Sequence, residues 1–170
     1  MKNTPIIILV SIVAILIIGY AVSSPKKVAP VNTSTENVVN PTTVQSNTVL
    51  SLKGQGLTKT PDYVFNITTL LELDLSNNSL SGALQSQVGQ LKNLRNLNLS
   101  NNNFTGVPAE VGQLSNLEVL NLSNNKLTGL PNELGNLSKL QLLNLSGNNY
   151  SETDLVEIRK HLPPTTVIIT

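Results

Sequence analysis

The sequence repeats itself every 23 or 24 residues from Leu70 to Leu162. Four aligned blocks carry the pattern, and a weaker copy precedes them. The blocks read LLELDLSNNSLSG from Leu70, LRNLNLSNNNFTG from Leu94, LEVLNLSNNKLTG from Leu117, LQLLNLSGNNYSE from Leu140 and, for the weaker copy, NTVLSLKGQGLTK from Asn47. A repeat of this length is too short for a pair of helices and suits one strand followed by a turn. We therefore predict a solenoid with one coil per block.

Two leucines in each block lie two residues apart, as in a strand with one apolar face. Leu73 and Leu75 point to one side of such a strand, whereas Asp74 between them points to the other. A single strand cannot bury its apolar face alone, so the blocks must stack on one another. The pattern predicts one short strand per block in a single parallel sheet.

An asparagine occupies the ninth position of each strong block, where the chain leaves the strand. These residues are Asn78, Asn102, Asn125 and Asn148. A buried turn leaves backbone N–H and C=O groups without partners, and an asparagine side chain supplies both a donor and an acceptor. We predict a structural asparagine ladder inside the coils. Gln55 stands at this position in the weaker copy, which indicates a looser terminal coil.

The second half of each block predicts a short helical or 3₁₀ turn. Val111, Leu114, Leu134 and Leu137 are spaced for one face of such a turn. Pro108 and Pro131 suit its first position, because the first N–H groups of a helix have no partner there.

The pattern LxxLxLxxNxL resembles that of the leucine-rich repeat family, and the resemblance covers residues 47–170. The tails GVPAEVGQL from Gly106 and GLPNELGNL from Gly129 are similar to those of the plant-type and bacterial subclasses. The resemblance implies an α/β fold: a short right-handed solenoid with a parallel concave sheet and short helical or 3₁₀ convex turns. The chain has no cysteine, so the disulfide-bonded caps common in extracellular members are ruled out and a bacterial-style cap is favoured.

The C-terminal residues predict a cap made of one helix and one strand. Ser151 and Asp154 fit an N-terminal capping box, and apolar residues recur at helical spacing until a Pro-Pro pair stops the helix. The apolar residues are Leu155, Ile158 and Leu162. The final TTVIIT then predicts a last parallel strand in which Val167 and Ile169 occupy the two core positions.

An apolar segment from Ile6 to Val22 precedes the repeats, with Lys2 before it and Lys26 and Lys27 after it. As a helix it would run about 25 Å, barely the thickness of a bilayer core. We predict a signal anchor in residues 1–22, a disordered tether rich in Ser, Thr, Asn and Pro in residues 23–46, and the repeat domain in residues 47–170. The alternatives are a cleaved signal peptide, which would make the protein secreted, and a buried helix.

The flanking charges balance and do not decide the orientation of the anchor. A short N-terminus followed by an apolar segment and a larger domain is typical of exported proteins. We therefore expect a single-pass protein of the cell membrane with its repeat domain outside the cytoplasm.

The composition argues against catalysis and nucleic-acid binding. Residues 47–170 hold eight Lys or Arg and nine Asp or Glu, a net charge of −1, with no basic stripe. No GxSxG, HExxH or P-loop motif occurs, and His161 is the single histidine. We expect His161 to face the C-terminal dipole of the last helix, and Glu152, Asp154 and Glu157 to form the start of that helix and not a metal site. No enzyme, cofactor or metal is predicted.

The resemblance implies that a protein or peptide ligand binds the concave sheet. Its candidate residues are the outward strand positions Leu71, Glu72, Asp74, Arg95, Asn96, Asn98, Glu118, Val119, Asn121, Gln141, Leu142 and Asn144. A further outward row is predicted at Ser76, Ser100, Ser123 and Ser146. Pairs such as Arg95 with Glu118 are alternatively plain cross-strand partners. Exposed apolar side chains at Leu71, Val119 and Leu142 favour binding.

Two functions remain open. One is a membrane-tethered binding module, and the other is a passive cell-surface structural or adhesion element. Sequons at Asn98, Asn121 and Asn144, and a further one at Asn66, are largely a by-product of the recurring NLS string. Glycans at the first three would cover the concave face, so glycosylation and ligand binding there exclude each other. The lack of disulfides favours the unglycosylated form.

Overall fold

The structure is a computed structural model that describes residues 48–170. These residues belong to one compact unit, Ser46–Thr170. The predicted apolar helix in residues 6–22 and the tether in residues 23–46 lie outside the described residues. Within residues 48–170, no helix combines the length and the apolar character that crossing a bilayer requires.

Within residues 48–170, six short strands form one parallel sheet; each of the five repeat blocks supplies one strand, and the C-terminal cap supplies the sixth. Two further strands pair with each other in parallel, apart from this sheet. The elements in chain order are β1 (Val49–Ser51), β2 (Glu72–Asp74), β3 (Ser81–Ala83), β4 (Asn96–Asn98), β5 (Asn103–Gly106), β6 (Val119–Asn121), β7 (Leu142–Asn144), α1 (Glu152–Arg159) and β8 (Val167–Ile169). The large sheet has the order β1-β2-β4-β6-β7-β8, and the small one joins β3 to β5. The predicted parallel sheet is confirmed.

The strand register sets one core side chain of each coil directly beside that of the next. The aligned residues are Leu50, Leu73, Leu97, Leu120, Leu143 and Ile168. Leu73, Leu97, Leu120 and Leu143 are at most 1% exposed, and so are the second leucines Leu75, Leu99, Leu122 and Leu145. A stack of leucines against leucines therefore forms the core, and the residue between each pair faces the other side of the sheet.

The last strand is parallel to β7, as predicted, but its phase differs from the prediction by one residue. Ile168 aligns with Leu143 and faces the core, whereas Val167 and Ile169 are 58% and 42% exposed. The Thr166 hydroxyl donates to the Leu140 carbonyl at 2.6 Å, and the Val167 N–H donates to the Gln141 carbonyl at 2.8 Å. These bonds set the register, and a shift of one residue exchanges the faces of a strand.

Four short 3₁₀ helices follow the strands and confirm the predicted turns. They span Asp62–Asn66, Ser86–Gln90, Ala109–Gln113 and Asn132–Asn136. Val111, Leu114, Leu134 and Leu137 are fully buried. Pro108 and Pro131 precede the first helical residue and do not occupy it, because their carbonyls accept the first bonds, from Val111 and Leu134 at 3.1 Å.

The last three of these 3₁₀ helices stack closely, because each contains a glycine, Gly89, Gly112 or Gly135, that faces the next coil or α1. A Cβ atom at Gly112 would overlap the Glu133 carbonyl, and one at Gly89 would lie 3.0 Å from the Glu110 Cβ. Real Cβ atoms do not approach a neighbour so closely, so an alanine would force the coils apart. The glycines therefore set the spacing of this wall.

The four ladder asparagines tie each coil to the coil before it. The Nδ2 of Asn125 donates to the Leu99 carbonyl of the preceding coil and to the Leu122 carbonyl of its own coil, both at 3.0 Å. Its Oδ1 accepts the Phe104 N–H of the preceding coil at 3.0 Å. The same three kinds of bond recur at Asn78, Asn102 and Asn148. Gln55 is exposed at the first coil, between two glycines with φ of 67°.

Helix α1 covers the end of the stack with Leu155 and Ile158, and Leu162 follows the helix; all three are buried as predicted. The helix ends at Arg159, before the predicted stop at Pro163. The predicted capping box is wrong, because the Ser151 side chain makes no bond to the backbone of α1. Its hydroxyl instead lies 2.5 Å from the Thr153 hydroxyl. The Asp154 carboxylate accepts the Leu130 N–H at 3.0 Å. A carboxylate of the cap therefore satisfies a backbone N–H of the coil that begins at Leu117.

The ladder predicts a large loss of stability when Asn125 is shortened. The exchange Asn125→Ala leaves the buried Phe104 N–H without its partner and removes one of the two asparagine donors to the Leu99 carbonyl, the other being Asn102. The free energy of unfolding should therefore fall by about 2–4 kcal/mol. Asn116 is the matched control, since its Nδ2 also bonds a backbone carbonyl, of Lys92 at 2.9 Å, but at an exposed place. Urea unfolding of both variants checks this, and equal losses would contradict it.

A second prediction concerns the stacked glycines. Gly112→Ala should lower the free energy of unfolding by about 1–3 kcal/mol, because the new methyl group must displace the Glu133 backbone. Gly129→Ala is the control, because a Cβ there meets nothing nearer than the Asp154 Oδ2 at 3.4 Å. Thermal unfolding of the two variants measures the difference. A Gly112→Ala protein as stable as the control would show that the coils do not depend on this contact.

Candidate functional site

The outward side chains of the large sheet form one continuous surface, here called the concave face. Three rows cross it from coil to coil. The first row holds Leu71, Arg95, Glu118 and Gln141, the middle row Val49, Glu72, Asn96, Val119, Leu142 and Val167, and the third row Ser51, Asp74, Asn98, Asn121, Asn144 and Ile169. All twelve predicted binding residues lie on this face. Arg95, Gln141 and Glu72 are exposed, and the other nine are half-buried.

The middle row changes its chemistry along the solenoid. It carries the Glu72 carboxylate near the N-terminal end, the Asn96 amide next, and then Val119, Leu142 and Val167 side by side. Ile169 of the third row flanks this aliphatic run and is 42% exposed. We call Val119, Leu142, Val167 and Ile169 the aliphatic patch. An apolar cluster on an open sheet is a common mark of an interaction surface.

The sequence analysis missed Val167 and Ile169 as surface residues because it assigned them to the core. The residue that could have shown the correct register is Thr166, which aligns with Gln141 of the preceding coil. That alignment places Val167 beside Leu142 and turns it outward. Because Val167, Ile168 and Ile169 are all aliphatic, the sequence alone does not show which of them face the core and which face outward.

The predicted serine row is wrong, because most of it is not on the surface. Ser76, Ser100 and Ser123 are 1%, 6% and 7% exposed. The Ser100 N–H and hydroxyl donate to the Asn98 Oδ1 at 3.1 and 2.8 Å. The same pair of bonds recurs in the next two coils, from Ser123 to Asn121 and from Ser146 to Asn144. The strands end before these serines, so strand alternation no longer applies to them.

This bonding fixes how the third row faces a ligand. The Oδ1 atoms of Asn98, Asn121 and Asn144 already accept bonds from their own coils. Within residues 48–170, their Nδ2 groups make no hydrogen bond to another residue. Asp74 accepts the Ser76 N–H at 2.9 Å in the same way and is half-buried. The row therefore presents three amide donors and one carboxylate.

Charged groups occupy the N-terminal half of the concave face. Arg95 and Glu118 lie on adjacent coils, with 3.4 Å between Nη1 and Oε1, which confirms the predicted cross-strand pair. Among residues 48–170, Glu72 and Asp74 have no cation within salt-bridge distance. This end of the face is therefore negative, whereas the aliphatic patch at the other end is uncharged.

Other polar groups of the described domain serve the fold. The His161 Nδ1 lies 3.0 Å from the Glu157 carbonyl near the end of α1, and Lys160 pairs with the Glu157 carboxylate at 2.6 Å. Across residues 48–170, no three His, Asp or Glu side chains come together to hold a metal ion. An open cleft of about 260 Å³ near the C-terminus is lined by Arg159, Leu162, Pro163, Pro164, Thr166 and Ile168.

Known proteins share this repeat and this fold. Two leucine-rich repeat models match the chain, one over residues 69–91 and one over residues 92–149. The ectodomain of the receptor kinase SOBIR1 from Arabidopsis thaliana is 32% identical, with a TM-score of 0.58 over 71% of this chain and 67% of that chain. The chain belongs to the leucine-rich repeat family.

Two further structures place this leucine-rich repeat protein among longer relatives. A leucine-rich repeat protein of Leptospira interrogans is 42% identical, with a TM-score of 0.62 over 66% of this chain and 28% of its own length. The plant peptide hormone receptor RGFR1, in complex with RGF2, is 32% identical, with a TM-score of 0.56 over 70% of this chain and 19% of its own length. The chain thus spans less than a third of these two proteins. No curated protein matches it by sequence.

The exposed ion pair should contribute little to stability. The Arg95 and Glu118 side chains are 58% and 32% exposed, so solvent screens their attraction and the pair is worth about 0.2–1 kcal/mol. A double-mutant cycle of Arg95→Ala and Glu118→Ala, followed by urea unfolding, should give a coupling energy in that range. A coupling several times larger would mean that the pair serves the fold and is not available to a ligand.

Proposed function

We propose that this leucine-rich repeat domain is a non-enzymatic binding module that holds a segment of a protein or peptide on its concave face. The observation that carries the proposal is the aliphatic patch, which lies on an open sheet beside unpaired polar groups. Apolar side chains in such a place add no packing to the core. Contact with a partner would remove them from water, at a gain of about 25 cal/mol per Å².

The proposed contacts follow from the rows of the face. The aliphatic patch would pack against apolar side chains of the partner, and the Nδ2 groups of Asn98, Asn121 and Asn144 would donate to its backbone carbonyls. Arg95 and Glu118 would contact polar groups between these two regions. Leu71, Asn96 and Gln141 complete the proposed surface. Weak polar contacts around a few apolar anchors are typical of interfaces in which a small number of residues dominate the binding energy.

The relatives support a role in recognition. RGFR1 is in complex with RGF2, and BIR3 with SERK2. The structures of SOBIR1 and GASSHO1/SCHENGEN3 are leucine-rich repeat ectodomains of receptor kinases. By analogy we infer that the repeat domain works outside the cytoplasm. We further propose that residues 6–22 anchor it as a single pass through the cell membrane and that residues 23–46 tether it. If the anchor is cleaved, the same domain would be secreted.

The alternative function is a passive structural or adhesion element without a ligand site. The even spacing of the coils favours it, because a regular stack is also a suitable spacer. The two functions differ in what a change on the concave face does. A recognition module loses its ligand, whereas a passive element keeps its association with the cell envelope.

The test is a selection of binding peptides on the full chain, followed by affinity measurement on variants. Random dodecapeptides displayed on phage would be selected on the chain in mild detergent, and the enriched peptides measured by fluorescence anisotropy. The triple variant Arg95→Ala, Glu118→Ala, Val119→Ala should weaken binding about tenfold or more, because it removes a cation, an anion and an apolar anchor from the centre of the face.

The matched control removes the same three kinds of side chain elsewhere. Lys126, Glu133 and Val156 are exposed and lie outside the concave sheet, so changing them together to alanine should leave peptide affinity unchanged. Both triple variants must unfold in urea at a similar midpoint to the parent. If no peptide is enriched, or if both triples weaken binding equally, the proposed binding face is wrong and the passive role is favoured.

A further inference from the structure

We propose that the bound segment lies across the strands in one fixed arrangement, with a basic side chain over Glu72 and Asp74 and aliphatic side chains over the aliphatic patch. This inference rests on the proposed function and specifies its ligand. It is carried by the unequal ends of the concave face: at one end lie two carboxylates that have no salt-bridge partner among residues 48–170, and at the other end lie four aliphatic side chains.

The shape of the face determines the path of the segment. Each strand of the sheet has only three residues, so the face measures about 10 Å along a strand. From β2 to β8 the sheet crosses four strand spacings, or about 19 Å at about 4.8 Å each. Along the middle row, the chemistry also changes from a carboxylate on β2 to aliphatic side chains on β6, β7 and β8. An extended segment therefore meets both ends of the face only when it runs from coil to coil.

These dimensions set the spacing of the recognised residues. An extended chain advances about 3.3 Å per residue and points alternate side chains to the same side, so side chains facing the sheet recur about every 6.6 Å. A basic residue over β2 then leads to facing positions two, four and six residues away. The second of these falls close to β7 and the third close to β8. The expected ligand carries a Lys or Arg, a polar residue and two aliphatic residues at alternate positions.

Charge complementarity supports a basic and not an acidic residue at the first position. Arg95, the nearest cation in the first row, is engaged by Glu118 at 3.4 Å, so it does not neutralise Glu72 or Asp74. A lysine or arginine of the ligand would supply the missing partner and gain charge-assisted hydrogen bonds. An acidic residue at the same place would face two like charges.

A second copy of this chain fits the face poorly. If two copies overlapped over the face from β2 to β8 about a twofold axis parallel to the strands, β2 would lie over β8, and Glu72 of one copy would meet Val167 of the other. The carboxylate would then lose water and gain no hydrogen-bonding partner, which is unfavourable. A peptide of mixed composition avoids this conflict, because its own basic and aliphatic residues match the two ends in order.

The experiment uses defined heptapeptides and the full chain. The probe is fluorescein-labelled Lys-Ser-Gln-Ser-Leu-Ser-Leu, together with its reversed sequence, because the face does not determine which end of the peptide lies over β2. Two comparison peptides replace Lys by Glu, or both Leu by Ser. At least one orientation of the probe should bind about tenfold more tightly than each comparison peptide, which equals about 1.4 kcal/mol.

Variants of the chain assign each end of the peptide. Glu72→Lys with Asp74→Asn should reverse the preference, so that the Glu peptide binds better than the Lys peptide. Asparagine at position 74 matches Asn98, Asn121 and Asn144 of the next coils, so the fold is preserved. Val167→Thr with Ile169→Thr should reduce binding of the probe to that of the Ser-substituted peptide. Val156→Thr on α1, where Val156 is 54% exposed, is the control and should change nothing.

The outcomes separate this inference from the proposed function. If selected dodecapeptides lose binding in the Arg95, Glu118 and Val119 triple but show no preference for basic or aliphatic residues, the binding face stands and the inference is overturned. If no peptide binds at all, the proposed function fails as well. If the chain self-associates in sedimentation equilibrium and Val167→Thr with Ile169→Thr abolishes that association, a second copy covers the patch and the inference is wrong.

Discussion

The bond between an asparagine amide and the backbone of the preceding coil is the interaction on which the rest of the structure depends. Asn102 and Asn125 are 7% and 8% exposed, and each joins a carbonyl of its own coil to a carbonyl and an N–H of the coil before it. Because these bonds recur at one place in each of the four coils after the first, they fix the offset between coils. The leucine register of the sheet and the rows of the concave face follow from that offset.

At the C-terminal end of the stack, helix α1 replaces the contacts that the next coil would make. Within the middle of the array, the Leu84 N–H donates to the Gly106 carbonyl of the next coil at 3.4 Å. Leu130 holds the equivalent position of the coil that begins at Leu117, and the Asp154 carboxylate accepts its N–H in place of a backbone carbonyl. Helix α1 thus supplies both apolar cover and a hydrogen-bond acceptor. The acidic residue that resembled part of a capping box is used between elements and not within one.

The repeated features were predictable from the sequence, whereas features that occur once were not. Leu73 and Asn102 have counterparts in several blocks, so an error at one block is corrected by the others. Val167 and Ile169 lie in a single strand that no block repeats, and three aliphatic residues in a row fit either face. Ser100 repeats, but its burial depends on where the strand ends and on its bond to Asn98, neither of which hydrophobic periodicity encodes.

Inward and outward positions differ in how strongly the repeat pattern determines them, and the candidate site consists of outward positions. Inward leucines and asparagines are alike from coil to coil, because each leucine lies beside its counterpart and each asparagine bonds the same backbone positions of the coil before it. Outward residues meet water and differ freely, as Glu72, Asn96, Val119 and Leu142 do along one row. Specificity in such a protein therefore resides in the variation between coils. The cap strand extends this variation by one more position, since Val167 continues the row beyond the last repeat.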